Sequence, residues 1–296
     1  MKVGFIGAGT VGTALALGLS ARGYKVVAVS SRTGASAGRL AKEIPGCKAL
    51  GSNQAVADTA ELVFITTPDG VIPQMAAEVR WHKGQSVVHC SGADSTETLE
   101  PARKLGTQVG VLHPLQTFAS VTQAIENLPG STFAIEAEEP LLTTLCEMAA
   151  SLGGHSIELK PSDKVIYHAA AVIAYNYLVT LVKLSTDLWQ TFGVSREEAT
   201  RALMPLLRGT LNNIEKVGIP NCLTGPIARG DTGTVEKHIK ALEKTAPEVL
   251  LTYRELGRQT IPVALAKGRI NEQQAAELER LLGQPACLET EKGEAK

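Results

Sequence analysis

The stretch Val3-Gly4-Phe5-Ile6-Gly7-Ala8-Gly9-Thr10-Val11-Gly12 limits the possible fold more than any other part of the chain. Its apolar opening reads as a buried strand, and Thr13 through Leu19 reads as a helix. Between them three glycines stand at G-x-G-x-x-G spacing. Gly7 suits the tight turn, Gly9 lets backbone approach a pyrophosphate, and Gly12 permits close helix–strand packing. Free N–H groups at the helix start, together with the helix dipole, favour an anion there. The spacing therefore predicts a dinucleotide held over Gly7, Gly9, Thr10, Val11 and Gly12.

The residues after the next strand choose between dinucleotides. Tyr24 through Val29 reads as that second strand, preceded by a turn at Gly23. An acid at its end would hold a ribose 2′-hydroxyl and repel a 2′-phosphate. This chain instead has Ser30-Ser31-Arg32-Thr33. Ser30, Ser31 and Arg32 suit a 2′-phosphate, the guanidinium through charge-assisted hydrogen bonds. The expected cofactor is NADP(H).

Length and charge narrow the class. At 296 residues the chain suits two domains, and 29 basic against 30 acidic residues leave no electrostatic footprint for nucleic acid or an anionic membrane. No signal-peptide pattern opens the chain. The longest apolar run, Val165–Val182, contains His168, Asn176 and Thr180, which favours a helix buried in protein over a membrane span. Five widely spaced cysteines without a C-x-x-C pair predict no disulfide framework and no zinc site, in a reducing cytoplasm.

Two halves with different grammar follow. Up to Leu159, apolar runs alternate with helical segments: 2–6, 25–29, 62–66, 86–90, 108–112, 132–135 and 156–159. That rhythm predicts an α/β domain, a Rossmann-type, mostly parallel sheet over 1–160. From Lys160-Pro161-Ser162 onward the pattern is helical, at 163–191, 196–217, 232–244, 247–267 and 272–282. Ser195 with Glu198 forms a capping box and Gly218 ends that helix. An all-helical domain is expected over 161–288, with a disordered tail at 289–296. Chemistry in such an arrangement is sought at the carboxyl ends of the strands.

Candidate site residues lie there. Thr67-Pro68 follows the third apolar run and is placed to meet a nicotinamide ribose, beside the plainer reading as a loop entry. Ser91 and Gly92 end the next run, and the Ser91 hydroxyl is a candidate to orient a substrate carbonyl. His89 alternates with buried neighbours and reads as a core histidine. Cys90 lacks an activating partner. His113, before Pro114, is suited to donate a proton to an alkoxide, or else caps its strand end. On the helix beginning at Ser162, Lys164 and His168 share a face, with Asn176 near it. Asn176 and His168 are candidates to touch substrate, and Lys164 is expected in the solvated first turn. Arg229 is the candidate grip for a substrate carboxylate, against the alternative of an ion pair with a nearby acid. Asp231 is placed to cap the following helix.

The glycine motif, His113-Pro114-Leu115-Gln116-Thr117-Phe118, Tyr167-His168-Ala169-Ala170-Ala171 with Asn176, and Leu223-Thr224-Gly225-Pro226 through Arg229-Gly230-Asp231 together resemble a bacterial group of Rossmann-like NADP oxidoreductases. The helical half of that group is a domain of unknown function. The resemblance implies a fold similar to ketopantoate reductases, pyrroline-5-carboxylate reductases, β-hydroxyacid dehydrogenases and prephenate dehydrogenases, with a helical domain like the C-terminal domain of 6-phosphogluconate dehydrogenase. It implies NADPH-dependent reduction of a small 2-keto acid, ketopantoate being the expected substrate, and a homodimer formed through the helical domains. The His-Pro pair resembles that of prephenate dehydrogenases, which supports His113 as the proton-transfer group. One departure stands out: β-hydroxyacid dehydrogenases carry a catalytic Lys four residues before an Asn, and here Val172 precedes Asn176 by four. The alternatives are an imine reductase of the same fold and a non-catalytic NADP-binding sensor.

Overall fold

A computed structural model describes residues 1–283. The expected tail at 289–296, and Cys287, lie outside the described residues. The chain forms two compact units, Met1–Asn176 and Tyr177–Lys296.

The first unit is built on an eight-stranded sheet. Its strands are β1 (Lys2–Ile6), β2 (Lys25–Ser30), β3 (Lys48–Ala49), β4 (Leu62–Ile65), β5 (Ser86–His89), β6 (Gln108–Leu115), β7 (Thr132–Ala137) and β8 (His155–Glu158). They lie in the order β3-β2-β1-β4-β5-β6-β7-β8. Only β6 and β7 pair antiparallel; every other pairing is parallel. The sheet is therefore mostly parallel, as the alternating pattern predicts. The two-residue β3 has no apolar run of its own and is held through Ala28 and Val29 of β2.

Helices α1 (Thr10–Ala21), α2 (Ala35–Glu43), α3 (Asn53–Thr59), α4 (Ile72–Glu78), α5 (Glu100–Arg103), α6 (Val121–Asn127) and α7 (Leu141–Ser151) join the strands. The two-residue period of the strands sends alternate side chains to opposite layers. Phe5 and Phe64 enter a core with Leu15, Leu19 and Leu145, and their rings stack at 5.1 Å. Ile6 and Ile65 enter a second core with Val56, Ile72 and Val87. Gly4 lets α3 come close, because a Cβ there would stand 2.7 Å from Val56 Cγ1. From β1 the chain builds one flank of the sheet through β2 and β3, then crosses to β4 for the other flank. This reversal opens a crevice at the carboxyl ends of β1 and β4.

After β8 a single turn of 3-10 helix at Pro161–Asp163 leads into α8 (Lys164–Ala171), then a π turn at Val172–Asn176, then α9 (Tyr177–Gln190). The predicted helix over 163–191 is thus one continuous helical run with a π turn inside it. The break between the compact units falls at the end of that turn. The run Pro161–Gln190 is long and apolar enough to cross a membrane by length and composition alone. It carries exposed Val165, Ile166, Ile173 and Val179.

The second unit is helical among its described residues. To α9 it adds α10 (Arg196–Val217), α11 (Thr232–Thr245), α12 (Pro247–Ala266) and α13 (Glu272–Leu282). The Ser195 hydroxyl accepts from Glu198 N while the Glu198 carboxylate accepts from Ser195 N, both at 3.3 Å. Gly218 ends α10 at φ 75°, where a side chain would be strained. Asp231 caps α11, accepting from Thr234 N at 3.0 Å. Val235, Ile239, Leu250, Ile261, Leu278 and Leu282 form this unit's core. Arg254 is buried in it and donates to Glu243 at 3.0 Å.

Candidate functional site

The glycine loop joins β1 to α1 at the crevice. Gly7 has φ 110°, and its N–H donates to the Ser30 carbonyl at 2.9 Å. The end of β4 packs beneath it: Thr66 N donates to Ile6 O at 2.8 Å, and the Thr66 hydroxyl donates to Gly7 O at 2.9 Å. A Cβ on Gly12 would run into Thr66 Oγ1 and stand 2.7 Å from Gly7 O. Gly9 has nothing within 4 Å of the place a Cβ would occupy, so the loop is open there. Gly9 is also the N-cap of α1, with no side chain capping the helix and no acid in its first turn. A helix start of this kind, uncapped and beside open space, leaves N–H groups at Thr10, Val11 and Gly12 for an anion. These residues fit a dinucleotide's pyrophosphate.

At the end of β2 the structure divides the expected phosphate contacts. Ser30 is 2 % exposed, and its hydroxyl donates to Asn53 Oδ1 at 2.7 Å. Its side chain is the last inward position of the strand, so it steadies the loop rather than reaching a ligand, a correction to the sequence reading. Ser31 accepts from Ala37 N at 3.0 Å near the start of α2, and Arg32 and Thr33 are exposed beside it. Thr67 Oγ1 is buried without a partner among the described residues, so this hydroxyl is turned inward. Pro68 is exposed and opens the turn Asp69–Val71.

A second group of residues gathers at the ends of β5 and β6, entirely within the first unit. His113 sits in β6, extended by the following Pro114, with Nδ1 2.8 Å from the Tyr167 hydroxyl. The ring of His168, on the next turn position of α8, lies 6.0 Å from that of His113, nearly perpendicular to it. Gly92 stands between them: a Cβ there would run into His168 Nδ1 and stand 2.9 Å from His113 Nε2. His168 Nδ1 is buried without a hydrogen-bond partner among the described residues.

Lys164 overturns the expectation of a solvated first turn. It is 1 % exposed, and Nζ donates to the Ser91 carbonyl at 3.0 Å. Burial holds its pKa below the usual lysine value, opposed by the charges of Glu136, Asp94 and Asp69. This contact seats α8 against the β5 loop, so Tyr167 and His168 arrive one turn later beside His113. Ser91 is itself 2 % exposed. Its hydroxyl approaches Asp69 Oδ2 at 2.9 Å and Asp94 Oδ2 at 3.1 Å, and accepts from Asp94 N at 3.0 Å. The hydroxyl is committed to Asp94 of its own loop and to Asp69 of the turn after β4, which corrects the reading that it orients a substrate carbonyl.

His89 behaves as the core residue its alternation predicts. Nδ1 accepts from Ser91 N at 3.1 Å and Nε2 lies 3.1 Å from Ser95 O, so the neutral ring satisfies both nitrogens. Burial, with the Lys164 charge, pulls its pKa down to about 4. Burial does the same to His113, again to about 4, helped by Lys164, His168 and His89. Both imidazoles rest neutral near pH 7. Burial pushes Tyr167 up to about 12 and Cys90 up to about 12, so the phenol keeps its proton and the thiol is no nucleophile.

Asn176 closes the π turn at the end of the first unit and is exposed. Arg229 lies in the second unit, 64 % exposed, with its guanidinium 3.8 Å from Asp231. Among the described residues no group of three or more His, Cys, Asp or Glu side chains could hold a metal ion. The residues the sequence reading missed are Thr66, Asp69 and Tyr167 as working parts of the site. For Tyr167 the available signal was its position directly before His168 on a helix already under suspicion.

Residues 1–114 match the Rossmann-like domain and residues 131–260 match the domain of unknown function DUF2520. The chain therefore combines a Rossmann-like domain with a DUF2520 domain. No protein of curated function matches its sequence. Among solved structures, it is similar to protein TM1727 from Thermotoga maritima, with TM-score 0.73 and 29 % identity, covering 90 % of this chain and 100 % of that one. The reductive aminase from Aspergillus terreus, solved with NADPH and ethyl-5-oxohexanoate, superposes with TM-score 0.62 at 16 % identity over 95 % of this chain and 92 % of that one. Pyrroline carboxylate reductase from Plasmodium falciparum, solved with NADP, gives TM-score 0.57 at 15 % identity, over 95 % and 98 %. At these identities the last two likenesses speak to the fold.

Proposed function

We propose that this protein is an NADP(H)-dependent oxidoreductase that reduces a small carbonyl compound, with His113 as the proton donor. The observation that carries the reading is the pair of imidazoles converging on Gly92, at the same carboxyl end of the parallel strands as the open glycine loop. Gly7, Gly9, Thr10, Val11 and Gly12 hold the pyrophosphate, and Ser31 and Arg32 meet the 2′-phosphate. When bound, the reduced nicotinamide supplies a hydride. His113 presents a proton to the oxygen that becomes an alkoxide, and His168 lines the same space from α8. Asn176 orients the substrate.

The resemblance favours a 2-keto acid, and ketopantoate heads the panel to be assayed. The reductive aminase and pyrroline carboxylate reductase neighbours give a specific reason to include cyclic and acyclic imines. NADPH oxidation is followed across both classes. Turnover of any member supports the reading, and His113→Ala should then lower kcat by about a hundredfold, within the usual range for a general acid. Full turnover by His113→Ala contradicts the assignment. Tight NADPH binding with no oxidation of it across the panel favours the sensor.

The absence of any acid at Ser30–Thr33, with Arg32 exposed there, supports NADP(H) over NAD(H). Arg32→Asp should lose about tenfold or more in NADPH affinity and gain relative preference for NADH, read by titration with both nucleotides. A variant that keeps the wild-type preference counts against the 2′-phosphate site.

The exposed apolar side chains also support a homodimer. Val165 and Ile166 on α8 are 69 % and 74 % exposed, and Leu206 and Ile219 in the second unit 66 % and 70 %. A second copy of the chain is the proposed cover, and light scattering should give twice the mass of 31.2 kDa. A monomer without detergent removes this part of the proposal.

A further inference from the structure

His113 can place its one proton on either ring nitrogen, and only one choice faces the proposed substrate space. Nε2 points at the Gly92 side, where a Cβ would stand 2.9 Å away, and Nδ1 points at the Tyr167 hydroxyl, 2.8 Å away. Among the described residues Tyr167 makes no other hydrogen bond. Donated to His113, its O–H is satisfied within the protein in this half-buried setting, where an unspent donor is costly. A nitrogen that accepts this proton carries none of its own. The rings meet edge to face, with centroids 5.6 Å apart and planes at 89°, which holds the hydroxyl to the imidazole edge.

We propose that Tyr167 fixes His113 as the Nε2–H tautomer, so that the imidazole proton is presented on the Gly92 side. Tyr167 is then a positioning residue for the proton donor, and the inference rests on the reading of His113 given above. The proton inventory is consistent with that role. As the Nε2 proton passes to the alkoxide oxygen, the Tyr167 hydroxyl gives its proton to Nδ1 and takes one from solvent water in the same step. The imidazole stays neutral as the other tautomer, no phenolate forms, and the water is left as hydroxide. The depressed pKa of His113 agrees, since a ring that is neutral at rest has a tautomer to be chosen.

The test is nitrogen-15 NMR of histidine-labelled full-length protein at pH 7.5, where two-bond couplings distinguish the tautomers. The protein has six histidines, and the His113→Ala variant assigns the signal of interest. The expected result is an Nε2–H tautomer for His113 in the wild type and a mixture of tautomers in Tyr167→Phe. With a turnover substrate, Tyr167→Phe should also lower kcat about tenfold while NADPH affinity stays unchanged. An Nδ1–H tautomer in the wild type overturns the proposal, as does an unchanged tautomer or an unchanged kcat in Tyr167→Phe. If Tyr167→Phe fails to fold, the wild-type spectrum decides alone. The tautomer needs no substrate, so a failure to oxidise NADPH would strike the reductase reading and leave this measurement standing.

Discussion

Gly92→Ala should abolish nearly all turnover while leaving nucleotide affinity where it was. The added Cβ would run into His168 Nδ1 and stand 2.9 Å from His113 Nε2, closer than a real Cβ tolerates. One or both imidazoles must move. Overpacking of this kind costs about 1–3 kcal/mol, and a displacement of about 1 Å in a catalytic group can cost about a hundredfold in rate. The glycine loop over Gly7–Gly12 is built from β1, α1 and Thr66, and the atoms nearest a Cβ on Gly92 belong to His113 and His168 instead. The expected outcome is therefore a fall in kcat of about a hundredfold with an NADPH affinity within about twofold of wild type. A kcat within about threefold of wild type would show that the substrate does not use the space between the two rings.

Mild acid should weaken the fold. His89 has no exposed surface, and its neutral ring already accepts from Ser91 N and faces the Ser95 carbonyl. A second proton on Nδ1 would meet the Ser91 N–H head on. Its folded pKa of about 4 lies below the unfolded value of 6.5, so the unfolded chain takes up the proton first. The stability tied to the neutral ring is complete above pH 6.5 and is lost as the pH falls toward 4. For His89 alone the loss approaches about 3 kcal/mol, at about 1.4 kcal/mol for each pH unit of that window. His113 has the same direction and adds to it. Urea midpoints taken at pH 7.5 and 4.5 should differ clearly, and His89→Gln should reduce the difference. Equal midpoints would mean that these rings are not held neutral.

What the sequence made legible follows from how local each signal is. Strands β1, β2, β4, β5, β6 and β7 announce themselves as apolar runs because parallel strands are buried on both faces. β3 is invisible, since Lys48 and Ala49 are exposed and owe their pairing to β2. The caps at Ser195, Asp231 and Gly218 were readable because a cap is set by residues three apart on the chain. The glycine loop was readable for the same reason, each glycine meeting a need that its neighbours define.

The centre at Gly92 was legible only in part. His113 and His168 could be singled out one by one, but 55 positions of sequence separate them, and nothing local says that their rings share a gap. Lys164 shows the limit most clearly. A lysine in the first turn of a helix is ordinarily solvated, and only the fold brings the Ser91 carbonyl over it, with the charges of Glu136 and Asp94 acting on the ammonium. Ser30 and Ser91 failed in the opposite sense. Both hydroxyls stand where a ligand contact is reasonable, yet each is taken by a side chain far along the chain, Asn53 for Ser30 and Asp69 for Ser91. Hydroxyls near a site are consumed by the scaffold that builds the site, and the sequence does not show which ones.

The reductase reading depends on a phosphorylated nicotinamide cofactor at the start of α1. Isothermal titration calorimetry of the full-length protein with NADPH and, separately, NADH measures that directly. The expected result is saturable heat with NADPH and an affinity at least about tenfold tighter than for NADH, given a charge-assisted contact from Arg32 to the 2′-phosphate. Folded protein that takes up neither nucleotide, or that prefers NADH, would contradict it.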